Sequence, residues 1–459
     1  MSMSPASAIT WPRHFSGEDL LQIAMPMGGI GSGCVCLSGQ GGIQDFSVRN
    51  NPGTTALADG HGFDDAAFAL LRIAGADGAS ITRLVEGPLP RGRIYDQGLQ
   101  AQGYRKGGQE GLPRFAECAF ESAYPFGTVR LSDPALPLTV QIDAWSPFIP
   151  RDGDASSIPA AILEYTLENA GAEPVDYEFS YHLSHLASGA PQSDSAGSRN
   201  AVLTDGSGVF LSNNEPEDSV HRGSAALLSL GDPPAAIKAM WFRGGWFDAL
   251  SALWREVSTG GFRANAGLPA EAPDMRGRNG GSILFRGTLA PGRRVTHTVA
   301  LCWHFPNSGV HVGQIGGLKP PVWNPYYTTL WSDAAAVAGY LRAHIAELRE
   351  RTRAFQRTLA ASTLPPAVLD ALASNLAILK SPTVLRQANG NIWGWEGCFP
   401  GSGCCHGTCT HVWNYAQALP HLFPPLERTL REQEYLRSMD GRGHVNFRAA
   451  LPDAPTNHD

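Results

Sequence analysis

The residues best suited to chemistry concentrate near the C-terminal end of the sequence, around one carboxylate. Glu396 lies between Trp395 and Gly397, and the run from Thr410 to Tyr415 follows shortly after. Aromatic rings can contact the apolar face of a sugar, and a carboxylate can attack its reacting carbon. The pattern therefore indicates a sugar-cleaving site with Glu396 as candidate nucleophile. The aromatic residues expected around it are Trp393, Trp395, Phe399, Trp413 and Tyr415.

The same residues also allow plainer interpretations. A Glu beside a Gly in a loop is most often simply solvated. The apolar, glycine-rich surroundings of Glu396 favour a site, because a charge held there would be unusual without a function. His411, at the start of a predicted helix, can bond a sugar hydroxyl or act as an ordinary helix-terminal core histidine. Glu427 and Glu434 fit the solvated face of an Arg-rich helix.

Cysteine and histidine residues crowd the segment around Glu396 as well. Soft ligands at this density can bind zinc, but they lack two separated CxxC-type pairs. A compact loop of small buried thiols and a local disulfide are the alternatives, the latter disfavoured in a reducing compartment. We predict neither a metal nor a cofactor. The residues concerned are Cys398, Cys404, Cys405, His406, Cys409 and His411.

Composition restricts the class of protein. The 459 residues suggest two or three domains, and 43% apolar against 17% charged residues is typical of a globular chain. A formal charge of −7 and no basic cluster argue against nucleic-acid binding. The sequence shows no secretory signal and no membrane-spanning run, so we expect a cytoplasmic protein with free thiols. Nothing in it indicates an oligomeric state.

Short strands separated by turns are predicted from about Ile23 to Phe305. Examples with alternating or continuous apolar residues are 129–131, 138–142, 161–167 and 295–301, which predict an antiparallel β-sandwich. The glycine-rich stretch 25–33 lacks a Gly-Lys-Ser/Thr ending and precedes a strand, so it predicts a tight turn rather than a phosphate loop. Residues 247–257 fit a short helix or an irregular connection.

Helical patterns follow the strands. Ser332 or Asp333 can cap a long helix to about Leu359, with an apolar stripe from Val337 to Leu348. Further helices are predicted after Pro365, from His411 to Leu419 and from Pro425 to Arg437. Such segregated blocks indicate separate all-β and all-α domains. We assign 1–325 to a β-sandwich domain, 326–362 to a linker helix and 363–459 to a helical catalytic domain.

The chain resembles glycoside hydrolase family 116, which includes the non-lysosomal glucosylceramidase (bile-acid β-glucosidase). The resemblance covers most of the sequence. The matching blocks identify the family when taken together, whereas any one of them alone is a weak signal. They are Pro26 to Gly33 with Asn51 to Gly53, Trp145 to Pro150 with Ser156 to Ala160, Trp303 to Pro306, and Trp395 to Gly397.

This resemblance implies an N-terminal antiparallel β-sandwich followed by an (α/α)6 barrel that hydrolyses β-linked glycosides with retention. Glu396 matches the family's nucleophile, and His411 falls where glucosylceramidase-like members have a sugar-binding Asp, after a loop that is longer in this sequence. The substrate-binding residues expected are His411, Trp395 and Trp413. The family's acid/base Asp lies downstream of the residues present, so we expect an incomplete barrel in a truncated chain.

The leading hypothesis is thus a retaining β-glycosidase whose partner is a glycoside, either a glucoside, a xyloside or an N-acetylglucosaminide. The alternative is a non-catalytic carbohydrate-binding or scaffold fragment. A Cys/His zinc protein is the third and weakest.

Overall fold

The protein is described by a computed structural model in which strands come first and helices later. The antiparallel strand blocks followed by helices that the sequence predicts are confirmed. The described residues are 9–53, 65–74, 80–89, 111–188, 197–242, 248–267, 279–313, 322–399, 401–413 and 416–454.

Most strands of the described residues belong to two antiparallel sheets that share one core. The strands are β1 Arg13–Ser16, β2 Ala24–Gly28, β3 Cys34–Ser38, β4 Ile43–Ser47, β5 Ala67–Ala74, β6 Ser80–Leu84, β7 Glu117–Ala123, β8 Phe126–Ser132, β9 Leu138–Trp145, β10 Ala160–Asn169, β11 Val175–Ser184, β12 Arg199–Val202, β13 Gly208–Ser212, β14 Ser224–Ser229, β15 Ala236–Lys238, β16 Gly280–Leu289, β17 Arg294–His304, β18 Val384–Arg386, β19 Ile392–Gly394, β20 Gly397–Phe399 and β21 Ser402–Cys404.

The larger sheet has nine strands in the order β1-β7-β8-β9-β10-β17-β14-β13-β12, and the smaller has five in the order β15-β16-β11-β5-β6.

Strand β9 shows why the sequence forms this sandwich. Its Leu138, Val140 and Ile142 point into the core, while Thr139 and Gln141 between them are partly exposed. This period of two places one apolar face against the other sheet. All four strand examples predicted from the sequence lie within β8, β9, β10 and β17.

Helices lie on the sandwich and after it. No described helix is long and apolar enough to cross a membrane. The α-helices are α1 Ala249–Ser258, α2 Ala334–Ala360, α3 Pro366–Ala377, α4 Thr410–Trp413, α5 Ala418–Leu422 and α6 Pro424–Arg437. Short 3-10 turns occur at Gly17–Gln22, Ala155–Ser157, Tyr326–Thr329 and Ile378–Lys380.

Helix α2 packs on the outer face of the nine-stranded sheet. It begins where predicted, because the carboxylate of Asp333, not Ser332, accepts a 2.8 Å hydrogen bond from the backbone N–H of Ala336. Val337 and Leu348 of the predicted stripe are buried, whereas His344, which the same spacing also places on the stripe, is half-exposed. A helix treated as a linker from its sequence thus forms a layer of the sandwich. Helix α1 covers the five-stranded sheet in the same way.

The later helices differ in detail from their sequence patterns. Helix α3 buries Leu369, Ala373 and Leu376, while the equally apolar Val368 and Leu372 are exposed. The helix has apolar residues on more than one face, so only packing decides which face is buried.

The segment predicted as one helix from His411 to Leu419 contains two short helices, α4 and α5, and residues 414–415 between them lie outside the described residues. Glu427 and Glu434 of α6, expected to be solvated, are largely buried and both pair with Arg431. An ion pair allows such carboxylates to leave water.

The glycine-rich stretch is the predicted tight turn, between β2 and β3. The turn, residues 29–33, is hydrogen-bonded to two segments that are distant in the sequence, one at Ser156 and one at Trp303. Ile30 N–H donates to Ser156 O (2.8 Å), and Trp303 Nε1 donates to Ser32 O (2.7 Å). Gly31 has φ +71°, and an added Cβ would lie 2.4 Å from Cβ of Arg386. The turn therefore joins the sandwich to the segment that carries Glu396.

Candidate active site

Glu396 lies between two small antiparallel hairpins, β18–β19 and β20–β21. Its backbone N–H donates to the carbonyl oxygens of both Cys404 (3.1 Å) and Cys405 (3.0 Å). On the preceding residue, Trp395 N–H donates to Thr383 O (2.9 Å). The main chain at the candidate nucleophile is thus held from two sides.

The Glu396 side chain is only 18% exposed. Its Oε1 is buried and accepts no hydrogen bond from any residue that the structure describes. Two cationic or potentially cationic groups lie near this oxygen, His411 Nδ1 at 3.7 Å and Arg448 Nη2 at 4.0 Å. A buried carboxylate oxygen without a hydrogen-bond donor is uncommon, because such a group ordinarily finds one. Its environment is therefore that of a functional group rather than of a surface glutamate.

The loop facing Glu396 has an unusual backbone. Cys405 and Thr408 both have φ +52°, a left-handed conformation that is rare for non-glycine residues and rarer still for a β-branched one. Thr408 is fixed there by two hydrogen bonds with Gly394, from N–H to O (2.8 Å) and from Gly394 N–H to Oγ1 (3.1 Å). Such conformations concentrate at functional sites.

Cys409 and His411 stand beside the carboxylate at the beginning of α4. The Sγ of Cys409 lies 2.8 Å from Nδ1 of His411. Cys409 is buried, whereas 69% of the His411 side chain is exposed. Burial, and then the adjacent Glu396 carboxylate, raises the pKa of the Cys409 thiol, so that it is held as the neutral thiol.

Arg448 reaches the site from the end of the described chain. The segment around it is attached by two backbone bonds, from Thr410 N–H to Phe447 O (3.1 Å) and from Ala449 N–H to Gly407 O (2.7 Å). The guanidinium carbon also lies 5.1 Å from the centre of the Phe447 ring. These contacts fix the cation opposite the carboxylate.

The aromatic residues expected around Glu396 have different environments. Trp395 and Trp413 are buried, and Trp413 Nε1 donates to Trp395 O (3.2 Å). Trp393 is fully buried and stands edge-on to Trp395, with ring centres 4.8 Å apart. Phe399 is exposed. Tyr415 lies outside the described residues.

The predicted site residues thus divide into two groups. Glu396 and His411 converge, and the indoles of Trp395 and Trp413 are engaged in packing around them. Trp413 lies against Gly394, and the Trp395 ring lies against Gly403. Both rings support the loop from within it.

The cysteine-rich segment does not gather as one cluster. All eight cysteines are free thiols. Cys404 and Cys405 place their sulfurs 3.5 Å apart, and Cys398 Sγ is 3.6 Å from the hydroxyl of Thr383. Of this segment, only Cys409 and His411 join Glu396 within the described part of the chain.

Sequence reasoning missed Arg448 and gave Cys409 no role at the carboxylate. Arg448 carried no signal, because a lone Arg in an irregular segment is usually solvated. For Cys409 the sequence did contain a signal, because this residue stands two positions before His411 at the start of a predicted helix.

Three solved structures are similar to the chain at low sequence identity and low TM-score. A polysaccharide lyase aligns at 10% identity and TM-score 0.29, over 62% of this chain and 33% of its own. A protein described as a kojibiose phosphorylase from the human microbiome aligns at 8% identity and TM-score 0.37, over 78% and 39%. The family GH92 inverting mannosidase of Bacteroides thetaiotaomicron aligns at 10% identity and TM-score 0.23, over 62% and 36%. The chain thus spans between 33% and 39% of these three proteins.

Curated protein sequences gave no significant match. A family model did match, over residues 24–348, and its description is beta-glucosidase 2, glycosyl-hydrolase family 116 N-terminal domain. The match covers the first part of helix α2 and every described sandwich strand except β1, and it spans more than half of the chain. It agrees with the blocks identified from the sequence at Pro26 to Gly33, Trp145 to Ala160 and Trp303 to Pro306. The chain belongs to glycosyl-hydrolase family 116, through the N-terminal domain that defines this match.

Proposed function

We propose that the chain takes part in hydrolysing β-linked glycosides with retention of configuration, with Glu396 as the nucleophile. The observation that carries the proposal is the state of this carboxylate. Its backbone is held by Cys404 and Cys405, while Oε1 accepts no hydrogen bond from the described residues. A nucleophile must be fixed in position and yet keep an electron pair for the reacting carbon. Membership of a glycosyl-hydrolase family supports the same reaction class.

In this proposal the surrounding residues have separate tasks. Arg448, 4.0 Å from Oε1, balances the charge of the carboxylate before it attacks. The exposed imidazole of His411 hydrogen-bonds a sugar hydroxyl. Trp395 and Trp413 are buried and hold the loop that carries the carboxylate, and their direct contact with substrate stays a prediction. The description of the matched family model, beta-glucosidase 2, supports a β-glucoside as the substrate class, and the family resemblance of the sequence adds the glucosylceramide type.

The reaction proceeds in two displacements. The Glu396 carboxylate attacks the anomeric carbon and the glycosidic oxygen leaves, giving a glycosyl-enzyme ester that water then hydrolyses. Retaining enzymes need a second carboxyl about 5–5.5 Å from the first to protonate the leaving oxygen and later deprotonate water. From the family resemblance, we propose that this acid/base is an Asp outside residues 1–459. Glu396 alone can complete the first displacement when the leaving group needs no proton.

The proposed domain division follows from the same resemblance. Residues 1–325 form the sandwich, 326–362 the connecting helix and 363–459 the first part of an (α/α)6 barrel. Helices α3, α5 and α6 support this division, since they follow the last sandwich strand and pack on the sandwich core through Leu376, Leu419 and Leu426.

Covalent trapping tests the proposal directly. The chain is incubated with a dinitrophenyl 2-deoxy-2-fluoro-β-glucoside, whose leaving group departs unprotonated and whose fluorine slows the second displacement. Intact-mass spectrometry should show one added fluoroglucosyl group. The adduct should be absent from Glu396→Gln, and peptide mapping should place it on Glu396.

Glu427→Gln is the matched control, because the Glu427 side chain is also 18% exposed but pairs with Arg431 away from the site. It should label like the unaltered chain. An adduct that persists in Glu396→Gln would overturn the assignment. A chain that is folded by circular dichroism and takes no label from glucoside, xyloside or N-acetylglucosaminide reagents would also overturn it.

Binding without catalysis is the second candidate function, and one feature favours it. The exposed face of β7 to β10, with the start of β17, forms an open concavity of about 660 Å³ whose walls carry both polar and apolar side chains. Glu117, Arg130, Gln141, Glu168 and Arg294 contribute to it. Polar groups of this kind bond sugar hydroxyls. Retarded migration in glycan-containing gels, together with absence of covalent labelling, would favour this candidate.

A further inference from the structure

Three side chains of different chemistry bring their ligand atoms together at the candidate active site. A carboxylate oxygen of Glu396, Sγ of Cys409 and Nδ1 of His411 all lie within 4.8 Å of one another. The Sγ to Nδ1 distance is 2.8 Å, and the Nδ1 to Oε1 distance is 3.7 Å. Carboxylate, thiolate and imidazole are the groups that bind zinc in proteins. Cys409 is a neutral thiol without the ion, so it releases its proton to solvent when the metal binds.

The distances are close to those of a tetrahedral zinc site. Zinc bond lengths require neighbouring ligand atoms about 3.4–3.6 Å apart. The observed 2.8 Å and 3.7 Å lie on either side of this range. His411 is mostly exposed, so its ring can turn away from Sγ by the somewhat less than about 1 Å that the zinc geometry requires. Cys409 supplies a fixed point, because its carbonyl accepts the backbone N–H groups of Val412 (3.0 Å) and Trp413 (2.9 Å).

The carboxylate has a free position for such an ion. Oε1 of Glu396 is buried and accepts no hydrogen bond from the described residues, so a cation would not displace a donor there. Three protein ligands with one open position is the arrangement of zinc sites that exchange small ligands. Magnesium and calcium do not fit, because they require six or more oxygen ligands.

We infer that Glu396, Cys409 and His411 form a binding site for Zn²⁺ or another thiophilic divalent cation. Arg448, with Nη2 4.0 Å from Oε1, opposes a cation electrostatically and must turn aside on binding. A second consequence rests on the proposed function. An ion that occupies the Glu396 carboxylate removes the electron pair needed for attack on the sugar. Metal binding and glycosylation of Glu396 are then mutually exclusive.

Cobalt substitution tests the site without relying on catalysis. The reduced, metal-free full chain is titrated with Co²⁺, and a near-ultraviolet thiolate-to-cobalt charge-transfer band is followed. One equivalent of Co²⁺ should bind, and Zn²⁺ should displace it. Cys409→Ser should abolish the band. His411→Gln, at a mostly exposed position, should weaken binding by more than about 100-fold, beyond the roughly 10–100-fold that loss of an outer hydrogen-bond partner causes.

Cys405→Ser is the matched control, since Cys405 is an exposed thiol of the same loop. It should keep the band. A band lost in Cys405→Ser and kept in Cys409→Ser would move the ion to the Cys404 and Cys405 thiols and overturn the inference. A folded chain without any band, or unchanged Co²⁺ affinity in His411→Gln, would also overturn it.

Failure of this inference and failure of the proposed function give different results. A chain that takes the fluoroglucosyl label but never binds Co²⁺ retains the glycosidase proposal and loses the metal site. A chain that binds Co²⁺ through Cys409 but never takes the label retains the metal site and loses the glycosidase proposal. If both hold, saturating Zn²⁺ should slow labelling at least tenfold, and a chelator should restore the rate.

Discussion

Nζ of Lys380 donates a 2.8 Å hydrogen bond to the carbonyl oxygen of Gly28, across the junction between the sandwich and the helical segment. The same ammonium donates to Pro147 O (2.6 Å) and Ser156 O (2.8 Å). Burial lowers the pKa of Lys380, but three acceptors match the three N–H groups that only the ammonium form supplies. This side chain therefore connects three distant segments at one point.

Lys380→Met should lower the free energy of unfolding by about 3–5 kcal/mol, because it leaves three buried carbonyls without their donor. Guanidinium unfolding followed by circular dichroism measures this loss. Lys238→Met is the comparison, since Lys238 is also largely buried but has a single ion-pair partner, Glu256. An equal loss in both variants would contradict the junction role.

Gly31→Ala should destabilise the same junction. The added methyl would lie 2.4 Å from Cβ of Arg386 and 2.5 Å from its backbone nitrogen, and φ is +71°. Overpacking and backbone strain together should cost about 2–4 kcal/mol. Gly390→Ala is the control, with φ +92° and nothing within 4 Å of the added atom. It should lose only about 1 kcal/mol from strain in thermal or denaturant unfolding, and a Gly31→Ala loss no larger than that would contradict the packing argument.

Acid should destabilise the sandwich through His182. This side chain is buried between Ser180 and Ser282, and burial lowers its pKa to about 3. The unfolded chain then binds more protons than the folded one below the usual histidine pKa. The contribution of neutral His182 to the free energy of unfolding is thus fully present above about pH 6.5, and it is lost progressively as pH falls toward about 3.

The free energy of unfolding should accordingly fall by about 2–3 kcal/mol between pH 6.5 and 4.5 through this residue. His182→Gln should flatten that slope, whatever its effect on absolute stability. A slope that persists in His182→Gln would refute the assignment.

Arg448→Met should slow labelling of Glu396 by the fluoroglucoside by about tenfold. The guanidinium 4.0 Å from Oε1 orients the carboxylate and balances its charge, which is worth on the order of 1 kcal/mol. The rate of adduct formation by mass spectrometry measures this effect. Arg442→Met removes an exposed cation of the same segment and should have no effect. Equal rates in all three chains would exclude a role for Arg448.

Local patterns predicted the strands and the long helix well, because each is specified within a few residues. In β9 the alternation of Leu138, Val140 and Ile142 with polar residues sufficed, and Asp333 marked the start of α2. The buried face of α3 was not predictable, because Leu369 and Leu372 are equally apolar. Only contact with the sandwich distinguishes them.

The candidate site was predictable only in part, because some of its contacts join segments that are distant in the sequence. Glu396 and His411 lie in one segment with an unusual composition, and the sequence points to both. Arg448 is brought to Glu396 by backbone bonds between residues 407–410 and 447–449. No local pattern encodes such a pairing.

The docking of helix α2 on the sheet separates the physical end of the sandwich from the end of the family match at residue 348. The next residue, Arg349, makes a bidentate pair with Glu164 (2.7 and 2.8 Å), and that carboxylate also accepts the indole N–H of Trp145 (2.8 Å). Further along, Gln356 donates to Ala123 O (2.8 Å). A chain cut at 348 would leave Glu164 buried without its cation and would expose the sheet beneath the missing turns. Expression of the sandwich as an independent unit therefore calls for a boundary after Ala360, at the end of the helix.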